Sequence, residues 1–477
     1  MSRRYASMFV QNEKSTNTYS GTRREFCRTG WRGVAELIGP ASLVYQSGKK
    51  STKARQRSVA CSTNRGSSGG AKKNAITSPT NSPSETSLDP CHYERADLAD
   101  RRLTGFVAFL GRFMLKPSWS GGFNVPVLIF LSAVFTLAAQ APPIQAPIPV
   151  LGDTEFVHDP SLIKAGDTWY VFSTGAGPNH DGEIPVRCSK DLHVWTRCGN
   201  VLERIPEWIL KKSPLTKNLW APDISFFNGE YYLYYAFSVF GKNTSGIALL
   251  TNRTLDAKDR NFHWKDCGLV LKSREQDDFN AIDPNLVVDE KGHAWLAFGS
   301  FWDGIKLRSI DDQNGKLSSA DTKAYSLARR KPPDNAPPNP PGLPANWQAI
   351  EAPFIVRHGP YFYLFVSFDL CCRGTKSTYK TMVGRSRKVT GPYLDANGTP
   401  MLEGGGTPVL LGNDRLLGPG GLSIRMGNEH GLGNDQDIVV FHAYDSKTGH
   451  PYLQISPIDW TDGWPHVALE GGTSVPQ

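Results

Sequence analysis

The sequence predicts an all-β chain folded as a five-bladed β-propeller, on three observations. One pattern, a polar turn with Pro or Gly, an apolar strand, a turn and a second aromatic-rich strand, is written five times. The copies begin at 159, 223, 283, 351 and 418, at near-constant spacings of 64, 60, 68 and 67 residues. Each copy holds a hairpin, and hairpins repeated at a fixed period are the mark of radial repetition. The period exceeds the ~40–50 residues of common blade families, so each unit is expected to carry four strands with long loops. A long β-sandwich would have to produce five in-phase copies by chance.

The first unit, from about residue 150, opens on His158-Asp-Pro-Ser-Leu-Ile163 and continues through Gly166 to Trp169–Phe172. The second opens on Ala221-Pro-Asp-Ile-Ser-Phe226 and continues through Gly229 to Tyr231–Tyr235. Ala281-Ile-Asp-Pro-Asn-Leu-Val-Val288 begins the third, with Ala294–Phe301 as its second strand. Between the third and fourth units, residues 331–344 are too proline-rich for a strand and read as a stiff surface loop near the cleft. Glu351-Ala-Pro-Phe-Ile-Val356, then Gly359 and Tyr361–Phe365, make the fourth. In the fifth, Gly418-Pro-Gly-Gly-Leu-Ser-Ile424 precedes Ile438–His442, so this blade is expected to present backbone where the others present charge.

Each opening turn should lie at the axial end of its innermost strand, and four of the five carry an acid: Asp159, Asp223, Asp283 and Glu351. Any one aspartate before proline is explained as a turn cap. A repeat does not need several acids on one axis, however, because like charges in a partly dry cavity repel and perturb each other's pKa. Two carboxylates facing across a cleft are the minimum equipment for glycosidic hydrolysis. Trp220 beside the axial turn reads either as a core aromatic or as a sugar-stacking platform.

Charge divides the chain unevenly. Residues 1–113 hold 19 Lys+Arg and 8 Asp+Glu, whereas the whole chain is only +8, so residues 114–477 are near −3. The basic character therefore belongs to a Ser/Thr/Arg-rich leader that reads as disordered, and nucleic acid is not an expected partner. Residues 125–141 are an apolar run ending in Ala139-Gln-Ala141, which resembles a signal peptide with its cleavage site. Met114-Leu-Lys116 just upstream points to a start at Met114, with 1–113 an extension of the gene model. The division expected is 1–113 leader, 114–141 signal peptide or anchor, and 142–477 propeller. The product is then secreted, or tethered through 125–141, and a monomer without a stable membrane partner once the signal is cleaved. Cys188 and Cys198 bracket a hairpin and can pair; adjacent Cys371 and Cys372 form a vicinal disulfide or remain thiols. Sequons at Asn243, Asn252 and Asn397 fit secretion.

His-Asp-Pro-Ser at 158–161, Trp-Ala-Pro-Asp at 220–223, Ile-Asp-Pro-Asn at 282–285 and Glu-Ala-Pro-Phe at 351–354, in this order, resemble glycoside hydrolase family 43. Within it the endo-1,5-α-L-arabinanases are most similar, over about 150–470. The resemblance implies a five-bladed propeller that cleaves arabinan, with Asp159 as general base, Glu351 as general acid and Asp283 raising and orienting the acid. It implies sugar contacts from His158, Trp220, Gly246, Asn280, Ala281, Ile282, Asp283, Ser300, Phe301 and Trp302. In several relatives the counterpart of His442 lies near a metal, usually calcium, although one imidazole is a weak signal for a cation that prefers oxygen. The chemistry itself needs no cofactor. The apolar frame of Glu351 and an anion at Asp283 should both keep its carboxyl protonated. Carboxylates from the first and fourth units should lie at the inverting separation of ~6.5–9.5 Å, not the retaining ~5–5.5 Å. The rival readings are an exo-α-L-arabinofuranosidase or β-xylosidase on the same scaffold, and a sugar-binding propeller without catalysis. An intact acidic trio argues against the last.

Overall fold

The computed structural model describes residues 144–176, 182–337, 343–428 and 436–472. The expected leader, signal segment and their boundary lie outside them. Five sheets follow one another along the chain as the blades of a five-bladed β-propeller, antiparallel except where Leu151–Gly152 adds a short parallel strand at the outer edge of blade 1. Blade 1 comprises Ser161–Ala165, Thr168–Phe172, Glu183–Ser189 and Val194–Leu202; blade 2, Trp220–Phe227, Glu230–Phe237, Gly246–Asn252 and Lys265–Lys272. Blade 3 comprises Asn285–Val288, Ala294–Phe298 and Ile305–Asp311, whose outer edge pairs with both Lys316–Leu317 and Ala324–Ala328. Blade 4 is Ile350–His358, Tyr361–Phe368, Lys380–Ser386 and Thr407–Leu410. Blade 5 is Leu416–Arg425, Ile438–Asp445, Pro451–Asp459 and His466–Val467. Among the described residues the only α-helix is Glu207–Lys212, and no helix is long and apolar enough to cross a membrane.

The sequence writes its middle strands as nearly continuous apolar runs because both faces of each sheet are covered by neighbouring blades. Five apolar clusters fill the five gaps. Tyr235 and Phe172 pack between blades 1 and 2, Phe298 and Leu249 between 2 and 3, and Leu364 and Leu307 between 3 and 4. Phe365 and Phe441 pack between blades 4 and 5, and Val171 and Val440 close the ring between 5 and 1. Each such buried side chain is worth ~1.5–3 kcal/mol.

Closure does not use a shared strand, since every blade is built from contiguous chain. Residues 148–156 instead run between the two ends. They bond blade 5 through Ile148 N–H to Ile455 O (2.9 Å) and Phe156 N–H to Pro451 O (2.8 Å). They bond blade 1 through Leu151 N–H to His193 O (2.8 Å) and Asp153 N–H to Trp195 O (2.9 Å).

Two disulfides are formed, Cys188–Cys198 across the blade 1 hairpin and Cys371–Cys372, which the sequence left open between disulfide and thiols, in the loop between the second and third strands of blade 4. Two of the three sequons are committed to the fold. The buried Asn243 amide donates to Arg274 O (3.1 Å) and Asp277 O (3.0 Å), and buried Asn252 accepts from His263 N–H (3.1 Å). Asn397 is exposed.

Candidate active site

The five innermost strands approach the axis with the same backbone turn, and that turn corrects the repeat. One residue in each has a left-handed φ: Asp159 (47°), Ala221 (41°), Asp283 (55°), Ala352 (52°) and Gly421 (55°). Only Asp159 and Asp283 are therefore equivalent acids; Asp223 lies two residues further along its strand and Glu351 one residue before its turn. Aligning the copies on their acids misplaced them, because a left-handed turn has no single side-chain signature. Aspartate is one of the few residues that tolerates this conformation, and Ala221 and Ala352 hold it at a cost of order 1–3 kcal/mol.

Asp223 has a structural role. It belongs to a set of bonds that tie inner strands together at four of the five junctions: Leu162 N–H to Ser423 Oγ (3.0 Å), Ile224 N–H to Ser161 Oγ (3.0 Å), Leu286 N–H to Asp223 Oδ2 (2.8 Å) and Ile355 N–H to Asn285 Oδ1 (2.8 Å). Burial raises the Asp223 pKa to about 6, opposed by Leu286 N–H, Asn285 and Arg425. A folded-state pKa above the unfolded value means that the native state binds this proton more tightly, so its contribution to stability falls as pH rises from about 4 to 6. Asp223→Asn keeps an acceptor for Leu286 and removes that loss. Thermal unfolding from pH 4 to 7 should show the variant gaining on the parent by on the order of 2–3 kcal/mol. A difference that does not change with pH would exclude this role.

The turn N–H groups are claimed by side chains of the preceding blade. Asp159 N–H donates to His442 Nδ1 (3.1 Å), Ala221 N–H to Thr174 Oγ1 (2.7 Å), Ala352 N–H to Asp283 Oδ2 (3.0 Å) and Gly421 N–H to Ser367 Oγ (3.0 Å). Asp283 thus grips the peptide directly after Glu351.

Glu351 is buried, and its carboxylate accepts from the hydroxyls of Ser300 (2.6 Å, at Oε2) and Tyr379 (at Oε1). Burial raises its pKa and the Asp159 charge adds to this, against the two hydroxyl donors. Asp283 is raised well above the usual carboxylate range by burial first, then by Glu351 and Asp159, with only Ala352 N–H opposing. Asp159 goes the other way. Burial would raise it, but the charge and hydrogen bond of His158, the charge of His442 and the Thr174 hydroxyl together lower it. Its Oδ2 accepts from Thr174 (2.6 Å) and His158 Nδ1 (3.2 Å), and 24% of its side chain meets solvent. One end of the axis therefore holds a carboxylate kept ionised and two carboxyls inclined to keep a proton.

His158 stacks on His442 with centroids 3.7 Å apart, and its Nε2 meets Tyr444 Oη at 2.5 Å. Donor atoms of His158, Asp159 and His442 lie within 4.8 Å of one another, and His442 Nε2 is buried without a hydrogen-bond partner. Gly420 and Gly421 explain the missing acid of blade 5. A Cβ on Gly421 would lie 2.5 Å from Asp159 Oδ1 and 2.8 Å from His442 Cε1, and one on Gly420 would lie 2.4 Å from the Tyr379 ring.

The remaining sequence-predicted residues are dispersed. Ser300, on the blade 3 loop, reaches Glu351, while half-buried Phe301 and Trp302 follow it with left-handed φ. Trp220 starts the inner strand of blade 2, half-buried, its indole N–H on Asn218 Oδ1 (3.0 Å). Asn280 is buried and accepts from Ser245 Oγ (2.6 Å), Ala281 N–H donates to Ser273 Oγ (2.9 Å), and Ile282 is buried. Gly246 opens a strand, and a Cβ there would strike the Phe237 ring at 2.3 Å. Thr174, Ser367 and Tyr444 escaped sequence reasoning. Tyr444 had a signal, because it stands two residues from His442 on one strand and so shares its face. Tyr379 likewise escaped sequence reasoning.

Comparison with known proteins agrees with this arrangement. The extracellular endo-α-(1→5)-L-arabinanase 1 of Bacillus subtilis is 42% identical over 313 residues, 65% of this chain and 87% of that protein. The extracellular exo-α-(1→5)-L-arabinofuranosidase ArbA of Cellvibrio japonicus is 40% identical over 317 residues, covering 65% and 86%. The solved structure of Cellvibrio cellulosa α-L-arabinanase complexed with arabinohexaose superposes with a TM-score of 0.61 at 38% identity, covering 68% of this chain and 99% of that one. The model of the family described as "Glycosyl hydrolases family 43" matches residues 147–465. With that match over most of its length, and a five-bladed propeller gathering three carboxyl groups at one end of its axis, this chain belongs to glycosyl hydrolases family 43 and is a glycoside hydrolase.

Proposed function

We propose that the chain is a secreted, inverting endo-hydrolase of α-1,5-linked L-arabinan. The observation that carries this reading is the opposite treatment of the acids: Asp159 is lowered by His158, His442 and Thr174, while burial raises Glu351 and Asp283. Glu351 protonates the leaving oxygen, and Asp159 takes the proton of a water attacking the anomeric carbon from the other side. Asp283 holds the Glu351 strand through Ala352 N–H and keeps a proton within the buried pair. His158, Trp220, Gly246, Asn280, Ala281, Ile282, Ser300, Phe301 and Trp302 then line the sugar sites. The α-1,5-arabinan substrate is that named for the B. subtilis relative, and the C. cellulosa arabinanase is complexed with arabinohexaose. Extracellular relatives support secretion, with residues 142–477 as the mature monomer and 114–141 as its signal.

The exo reading is favoured by the 40% and 38% identities to two exo-acting enzymes. Incubation with linear debranched arabinan and with an aryl arabinofuranoside separates the two. Endo action yields a ladder of oligosaccharides early and spares the aryl glycoside; single arabinose units from the first minutes would establish the exo reading. Early proton NMR of the same digest should show the β-anomer first. An α-anomer appearing first would overturn inversion while leaving the substrate intact.

A calcium ion is proposed beside His442. The donor atoms of His158, Asp159 and His442, all within 4.8 Å of one another, offer such a cation oxygen and nitrogen ligands to be completed by water, and it would supply local positive charge on the channel axis. Chelation should lower activity and melting temperature, and added calcium should restore both. No response would leave His442 with the bond from Asp159 N–H as its whole function.

A further inference from the structure

The vicinal disulfide Cys371–Cys372 lies at the site and has no part in the mechanism above. It occupies a half-exposed loop of blade 4, with Cys372 held at φ 65°, a conformation that non-glycine residues rarely adopt unless constrained. There the Cys372 N–H donates to Tyr444 Oη (2.9 Å). With its oxygen accepting, the single Tyr444 proton is left for His158 Nε2 at 2.5 Å. An imidazole that accepts at Nε2 carries its proton on Nδ1, which faces Asp159 Oδ2 at 3.2 Å. The donors thus point one way, from Cys372 through Tyr444 and His158 to Asp159, and Cys372 Sγ lies 4.0 Å from His158 Nε2.

We propose that the Cys371–Cys372 disulfide is a positioning element, which aims its peptide N–H at Tyr444 and so sets the His158 tautomer that holds Asp159 in place. This rests on the assignment of Asp159 as the base. Opening the ring requires two electrons and two protons from a dithiol, which closes to its own cyclic disulfide as both cysteines become thiols.

The full chain is assayed on linear arabinan before and after dithiothreitol, with thiol counting to prove reduction and circular dichroism to prove folding. Reduction should lower kcat about tenfold or more with little change in KM, as expected when a reacting group is misplaced, and reoxidation should restore it. Cys371→Ala/Cys372→Ala should match the reduced parent and be indifferent to the reductant; continued sensitivity would assign the effect to Cys188–Cys198 and overturn the proposal. A raised KM at unchanged kcat would show a loop that only lines the groove, and would also overturn it. Nitrogen-15 NMR of the histidine rings needs no substrate, so it decides the matter even if the arabinan reading fails. His158 should be the Nδ1–H tautomer in the oxidised parent and should lose that preference on reduction and in Tyr444→Phe; an unchanged tautomer would refute the relay.

Discussion

Glu351→Gln and Asp159→Asn should each lower kcat by about 10²–10⁴-fold while the protein stays folded. The two losses have different physical origins. Glutamine at 351 can accept from one of the Ser300 and Tyr379 hydroxyls while its amide nitrogen donates to the other, but it has no acidic proton to give a leaving oxygen. Asparagine at 159 can still accept from Thr174 but cannot take a proton from water. An aryl glycoside of an arabino-oligosaccharide, with a good leaving group, should lessen the defect of Glu351→Gln and leave that of Asp159→Asn in place. Either variant keeping most of its turnover on arabinan would refute that residue's role.

Gly421→Ala should produce the second largest loss, from a residue with no functional group. Its Cβ would press on Asp159 Oδ1 at 2.5 Å and on the buried His442 ring, whose Nδ1 is 2.9 Å away and holds the Asp159 N–H. The Asp159 carboxylate is a short side chain already held by Thr174 and His158, and the His442 ring is fully buried, so the base must shift. A displacement near 1 Å at the reacting centre costs roughly 10²-fold in rate. The left-handed backbone adds a stability penalty of order 1 kcal/mol. Gly359→Ala separates the two effects, since Gly359 has the same φ of 55° with nothing within 4 Å of its Cβ. It should lose stability alone. Equal kcat in the two variants would show that Gly421 is needed only for its turn.

The sequence by itself determined the number of blades, the inner and second strands of each, and the elements that carry His158, Asp159, Asp283, Ser300, Glu351 and His442. These are local properties. Apolar runs, turn residues and a period of 60 to 68 residues are written in the order of the chain, because each blade is contiguous and closes on itself. Only the tertiary structure decided which acids are equivalent. The backbone turn that defines the repeat is occupied by Asp, Ala or Gly alike, so Asp223 looked like an axial acid and is instead a clamp to Leu286. It also decided the company each acid keeps. Thr174 and Asp159 are 15 residues apart, Tyr379 and Glu351 are 28, and Tyr444 and His158 are 286, and nothing in the chain order pairs them. Whether a carboxyl is ionised depends on burial and on those partners, which exist only once five separate strands meet on one axis.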